Sequence, residues 1–328
     1  MTGWLLLSDR DDPVGGDLPP VLDEGTLVIE LSWPLPVGVL LDWRGGEQAL
    51  SLFHHPASGI GLMWRDGRML RRFLLPGTLR LDGRLARLTF GWSRTLGRWT
   101  MRLDDGTETT VAATAGLNPP GFAAAALGAL CAGQGVTRRE ASVLWFGVMR
   151  GETPPARMAW IGIAAPVMTP AGPVPAGLLR PGQWVVTRDA GPVRLRRLHR
   201  MELPSRGSHA AIVLRAPWHA RQTDLLVSAD QLVTIRGLEA EYLFGEEEVL
   251  VSAGALVDGR SALADNRRAT APGVALDLGV PHLLECDGAC LLSATPGAAM
   301  PPLLRVLQDY EALPLLALLR RQKSTDAA

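Results

Sequence analysis

The sequence predicts a mainly β protein: an N-terminal antiparallel β-sandwich, a short helical connector, a second all-β unit and a C-terminal helix. Three observations predict it. Short runs in which apolar and polar residues alternate recur, each closed by a turn signal. An alanine-rich stretch flanked by Pro119-Pro120 and Pro154-Pro155 interrupts them near the middle, and a leucine-rich tail follows the second series. With 328 residues, 47% of them apolar, the chain has room for about two domains with separate cores.

The elements follow in chain order. From residue 25 to about 115, "TLVIELSW" ends at Pro34, "VGVLLDW" at "RGG", "IGLMW" at "RDG", "TLRL" at "DG" and "WTMRL" at "DDG". Leu88, Phe90 and Trp92 alternate with Arg87, Thr89 and Gly91, and Trp99, Met101 and Leu103 alternate with Thr100 and Arg102. Period two in successive short runs gives antiparallel sheets with one buried face each, assigned here to residues 1–115. Residues 116–157 read as the connector. Leu127 and Leu130 mark a short helix after Pro119-Pro120, and Thr137 to Glu140 is a capping-box pattern that predicts a second helix over "REASVLWFGVMR". "GETPPAR", residues 151–157, is the linker, because Pro154-Pro155 cannot continue a helix. Residues 158–300 return to strands and tight turns, with "GQWVVT" and "GPVRLRRLHR" flanking the hairpin signal "RDAG". In the tail, residues 301–328, Leu303, Val306, Leu307 and Tyr310 stand at helical spacing, which predicts an amphipathic helix interrupted at Pro314.

Composition narrows the function classes. Lys+Arg 33 balances Asp+Glu 33 without a block of like charge, which argues against nucleic acid or an anionic membrane as the main ligand. Cys131, Cys286 and Cys290 form no CxxC pair and join no histidine cluster at ligand spacing, so neither a metal nor a cofactor is expected. The apolar stretch of "MTGWLLLSDRDDP" is too short for a signal peptide, and "GFAAAALGALCAG" falls below the ~20 residues of a spanning helix. The expectation is a soluble protein, cytoplasmic or exported without a signal.

Four blocks in order, "PAGPVPAGLLRPGQWVVTRDAGPVRLRRL", "DLLVSADQLVTIRG", "LFGEEEVLVSAGALVDG" and "HLLECDGACLLSATPG", resemble the bacterial Hint (hedgehog/intein) domain over roughly residues 158–300. The resemblance implies an all-β horseshoe with pseudo-twofold symmetry. It also implies a chemistry. A Cys or Ser at the first position attacks the preceding carbonyl, and a histidine in the second block, within "SxxHxV", protonates the departing amide nitrogen.

The matching positions here carry other residues. The nucleophile position falls near Trp160, and no Cys or Ser occurs between Ala156 and Pro170. "SADQLV" keeps Ser228 and Val233 but has Gln231 at the histidine position, and a neutral amide neither takes nor gives a proton near pH 7. Gln183 stands where the family's "LRPGD" has aspartate. The remaining substitutes are Ser228 with Asp230 or His282.

The first domain resembles the concanavalin-like or laminin-G-like lectin sandwiches, chiefly through "ARLTFGWSRTLGRWTMRLDDG" and its Trp92 and Trp99 hairpin. That resemblance implies a carbohydrate or protein partner. Asp104 and Asp105 are read as a turn, not as calcium ligands. Among ten tryptophans, Trp33, Trp43 and Trp64 are the candidates for stacking on a sugar if exposed, with core packing the default. His54-His55 reads as a solvated loop pair, because adjacent strand residues face opposite ways. His199, His209 and His219 read as surface histidines, and Glu246 to Glu248 as a solvated turn. The sequence thus predicts a non-catalytic binding or interaction module on a degenerate Hint scaffold. The alternative is an autoprocessing protein that cuts its own backbone near residue 160.

Overall fold

A computed structural model describes residues 3–14, 16–106, 109–151, 158–217, 222–294 and 303–325, with side chains to residue 319. The chain divides into two compact units, Met1–Ala156 and Arg157–Ala328. Among the described residues, no helix is long and apolar enough to cross a membrane.

Unit 1 contains, in chain order, strands β1 (Trp4–Leu7), β2 (Val21–Leu22), β3 (Glu24–Ser32), β4 (Gly38–Gly45), β5 (Gln48–His55), β6 (Gly59–Asp66), β7 (Met69–Leu75), β8 (Leu85–Ser93), β9 (Arg98–Asp105), β10 (Thr110–Leu117) and β11 (Phe122–Ala123). Helix α1 (Ala124–Cys131) and strands β12 (Val136–Arg139) and β13 (Val143–Met149) complete it. A six-stranded antiparallel sheet has the order β1-β13-β3-β8-β9-β10, and a five-stranded one the order β12-β4-β5-β6-β7. Their facing residues form one core, as the alternation in β8 and β9 requires: Leu88, Phe90, Trp92, Met101 and Leu103 all lie in it. Phe122 is its aromatic hub, with ring centroids 4.6 Å from Trp92 and 4.9 Å from Trp64.

Two expectations for this unit need correction. The capping-box pattern does not open a helix: residues 136–139 pair with β4, and residues 143–149 pair with both β3 and β1. Thr137 Oγ1 donates to Asp42 Oδ2 at 2.7 Å, the Glu140 N–H that it would accept in a capping box donates instead to Leu40 O at 2.8 Å, and Arg138 bonds Glu140 at 2.6 Å. Two ladders outweigh a local cap signal, since capping contributes only about 1 kcal/mol. Consequently the described residues from 116 to 151 hold one helix, α1, and the sandwich continues to Met149. Most of the "GETPPAR" linker lies outside the described residues.

Unit 2 contains β14 (Ile161–Gly162), β15 (Pro166–Thr169), β16 (Gly172–Pro175), β17 (Trp184–Thr187), β18 (Gly191–Arg194), β19 (Arg197–Pro204), β20 (Ala211–Leu214), β21 (Leu225–Val227) and β22 (Leu232–Arg236). Helix α2 (Leu238–Phe244), β23 (Glu248–Ser252), β24 (Ala262–Asp265), β25 (Thr270–Asp277), β26 (Leu283–Cys286), β27 (Ala289–Leu292) and helix α3 (Asp309–Thr325) follow. One sheet has the order β19-β25-β14-β21-β20-β24; the other has β16-β15-β26-β27-β22-β23, with the β17–β18 hairpin joined to β26. "RDAG" makes the predicted hairpin, with Thr187 opposite Gly191.

The tail also departs from expectation. Residues 305–307 run beside β23, where Leu250 N–H donates to Arg305 O and Leu307 N–H to Leu250 O, both at 2.8 Å. Helix α3 then starts at Asp309, with Glu311 accepting the Gln308 N–H at 2.9 Å. It runs through Pro314 without a break. The carbonyl that proline leaves without a donor belongs to Tyr310, a 72% exposed residue whose backbone water can reach.

Because Trp64 is 1% exposed and touches both Trp43 and Phe122, Trp64→Ala is expected to destabilise unit 1 by about 3–5 kcal/mol. Urea unfolding followed by tryptophan fluorescence reads the shift in midpoint.

Candidate functional site

The residues singled out by the second sequence block meet at one corner of unit 2. Strand β14 lies between β21 and β25, and Ile161 pairs with Val227 and Val274. That pairing brings residue 160 to Ser228: the Trp160 N–H donates to Ser228 Oγ at 3.1 Å, and the Ser228 N–H donates to Trp160 O at 3.0 Å. The Trp160 side chain points into a small core with Leu203, Ala211, Ala271 and Ala275 and is 1% exposed. Its ring lies on the backbone of β25, where a Cβ at Gly273 would approach within 2.4 Å of the indole.

Gln231 closes the turn from Ser228, donating its N–H to Ser228 O at 3.1 Å. Its side chain is 2% exposed and turns toward β27, where Nε2 donates to Leu292 O at 2.8 Å and to Leu232 O at 3.0 Å. Both amide protons are engaged with carbonyls, so the side chain ties β22 to β27. Gln183 Oε1 accepts the Arg180 N–H at 2.7 Å and stabilises the exposed turn before β17. A short acceptor is what that turn requires, and an amide oxygen serves it as an aspartate would.

The weak substitutes occupy separate places. Ser228 Oγ is buried and faces the Trp160 amide. Asp230 is half-buried in the turn that follows it. His282 Nδ1 lies 2.7 Å from Asp189 Oδ2, while Asp189 Oδ1 accepts the Leu283 N–H at 2.8 Å. The His282 backbone exchanges hydrogen bonds with Ser293, its N–H donating to Oγ at 3.0 Å and its carbonyl accepting from the Ser293 N–H at 2.8 Å. The Asp189 pairing was not legible in the sequence, because Asp189 reads there only as part of a turn 93 positions away.

No thiol is poised for attack at neutral pH. Burial pushes the Cys131 thiol up to about 12 and raises those of Cys286 and Cys290 as well, the last against the lowering influence of Arg188 and Arg236. Thr169 Oγ1 donates to Gly172 O at 2.6 Å across the β15–β16 turn.

The remaining candidates resolve as follows. Trp43 and Trp64 are core residues, so neither presents an open face for a sugar, and half-buried Trp33 packs against the same core beside His54. His54 and His55 end β5 on opposite faces. His54 is buried with Nδ1 3.0 Å from Pro36 O, which corrects the solvated-pair expectation, whereas His55 is exposed. His209 is buried, which corrects the surface expectation for it, while His199 is half-buried; His219 lies outside the described residues. Glu248 pairs with Arg188 and Arg236. Asp104 is buried on β9, bonded to Arg102 at 2.9 Å and Thr110 at 2.8 Å, while Asp105 accepts the Thr109 N–H at 2.9 Å across the turn.

Asp258, at the end of the third block, accepts the N–H groups of Arg260, Ser261 and Ala262 at 2.8, 2.7 and 3.1 Å and the Ser261 hydroxyl at 2.9 Å. Burial opposes its ionisation, but these donors outweigh it and hold the carboxyl below the ordinary aspartate range.

Residues 164–298 match the family model described as the Hint domain. Among solved structures, the MchDnaB-1 intein is similar at 15% identity and TM-score 0.28, over 40% of this chain and 98% of the intein. The Ruminococcus gnavus IT-sialidase CBM40 bound to alpha2,3 sialyllactose is similar at 16% identity and TM-score 0.29, over 46% of this chain and 89% of that one. A heptameric SAP-like pentraxin from Limulus polyphemus is similar at 11% identity and TM-score 0.23, over 45% and 74% of the two chains. At such values the likenesses carry nothing about function. No curated protein matches the chain.

Two outcomes are expected. Gly273→Ala forces a methyl into the buried Trp160 ring and should cost about 1–3 kcal/mol in chemical denaturation. Asp258, whose folded pKa is depressed, contributes stability that is fully present above the unfolded value of about 3.9 and is lost as pH falls through the lower folded value. Asp258→Asn should therefore flatten the acid limb of the stability–pH curve and leave its slope above pH 6 unchanged.

Proposed function

We propose that this chain, which carries a Hint domain over residues 164–298, uses that domain as a scaffold without backbone cleavage, and that its N-terminal sandwich is a binding module for a carbohydrate or a protein partner. The observation that carries the first part is the engagement of both Gln231 amide protons by the carbonyls of Leu232 and Leu292, beside a residue 160 that is a buried tryptophan. An N-to-S or N-to-O acyl shift needs a nucleophile one residue after the scissile carbonyl and an acid to protonate the departing nitrogen. An indole supplies no nucleophile, and a neutral amide supplies no acid. Ser228 does not substitute for the nucleophile, because its hydroxyl accepts the N–H of residue 160 and so approaches the peptide from its nitrogen side. His282 is oriented by Asp189, an arrangement that supports β26 and the start of its hairpin.

The second part rests on the sandwich itself. Its five-stranded sheet buries one face in the core and presents on the other a mixed surface in which Asp42, Arg44, Ser51 and Arg65 stand beside Met63 and Leu70, a surface suited to recognition.

Intact mass of the purified full-length chain, followed over several days at pH 7 with and without thiol or hydroxylamine, tests the first part. A single species at 35.2 kDa is expected throughout. Two fragments with a new terminus near residue 160 would establish autoprocessing instead, and sequencing that terminus would identify the nucleophile.

A further inference from the structure

The open face of the five-stranded sheet in unit 1 contains a cavity of about 220 Å³, lined by Asp42, Arg44, Ala49, Ser51, Met63, Arg65 and Leu70. Strand register explains its shape. Arg44, Ala49, Arg65 and Leu70 form one cross-strand row, and Asp42, Ser51 and Met63 form the next. The central strand β5 contributes only the small side chains of Ala49 and Ser51, while its neighbours contribute long ones, so the floor is low and the walls are high.

Charge is organised around that floor. Asp42 accepts from Ser51 Oγ through Oδ1, and from Thr137 Oγ1 and Arg44 Nε through Oδ2 at 2.7 and 3.1 Å. Burial opposes its ionisation, but these bonds prevail and keep the carboxylate charged. A carboxylate offers about four acceptor places, so one remains on Oδ1. Arg65 faces Arg44 across Ala49, two strand spacings or about 10 Å away, and among the described residues no carboxylate pairs with it. The neighbouring Asp66 accepts from Gln48 at 3.2 Å. Two guanidinium groups therefore flank the cavity with one acidic group between them, already shared with Arg44.

We propose that this cavity binds one acidic sugar residue, its carboxylate or sulfate held by Arg65 and Arg44 and a ring hydroxyl donated to Asp42 Oδ1. The inference rests on the reading of unit 1 as a binding module. An anion satisfies the facing cations. A hydroxyl donor satisfies the remaining place on Asp42, which an acidic peptide side chain would leave empty. Met63 and the half-exposed Leu70 provide an apolar wall for the ring's C–H face. The volume is below the roughly 300–1,000 Å³ of drug-sized sites, a size that suits one sugar ring.

The test is an array of carboxylated, sulfated and neutral oligosaccharides probed with the full chain, followed by calorimetric titration of the best acidic binder. Binding confined to acidic sugars is expected, weakened tenfold or more by Arg65→Met and by Arg44→Met, with the thermal midpoint of both variants within a degree of the parent. The carboxylated and sulfated arms distinguish the two sources of charge. Binding only to neutral sugars, or acidic-sugar binding indifferent to both variants, overturns this site and leaves unit 1 a carbohydrate module. Binding to no sugar overturns the site and the carbohydrate arm of the module reading together.

Discussion

Trp160 fills the space above Gly273 with the largest of side chains, and the neighbouring backbone has no room to yield. The ring packs among Leu203, Ala211, Ala271 and Ala275, three of them alanines, so the surrounding strands carry the small residues that a buried indole needs. The same residue's peptide group is fixed by reciprocal hydrogen bonds with Ser228. Packing from one side and hydrogen bonding from the other hold β14 between β21 and β25, and the six-stranded sheet of unit 2 is built across it.

Gln231 joins two strands of unit 2 through one buried side chain. A histidine there would carry at most two N–H groups on a rigid ring, whereas the amide directs both donors at carbonyls of adjoining strands. Each such bond contributes about 1 kcal/mol. The turn at Gln183 follows the same logic on the surface, where its amide oxygen accepts the Arg180 N–H.

Unit 1 divides its labour between the two faces of one sheet. The inner face of β4 to β7 gives Trp43, Leu50, Leu52, Leu62, Trp64 and Phe73 to the core. The outer face places Asp42 in a network with Ser51, Thr137 and Arg44, and the strand that brings Thr137 is the one whose local sequence resembles a helix start. The correct fold of that segment therefore bears directly on the open face, because a helix there would have removed Thr137 from Asp42.

The sequence alone determined what depends on neighbours along the chain. Period-two alternation fixed the faces of β8 and β9, "RDAG" fixed a hairpin, and the ordered blocks marked the Hint-domain match over residues 164–298. Tertiary structure decided whatever depended on partners distant in sequence. Residues 136–139 and 143–149 became strands because β3, β4 and β1 offered ladders that no local cap could match. Residues 305–307 left the helical pattern for the edge of β23, and His282 found Asp189 across 93 positions. Pair energies of this kind arise only when the chain closes on itself, so they leave no periodicity in the sequence.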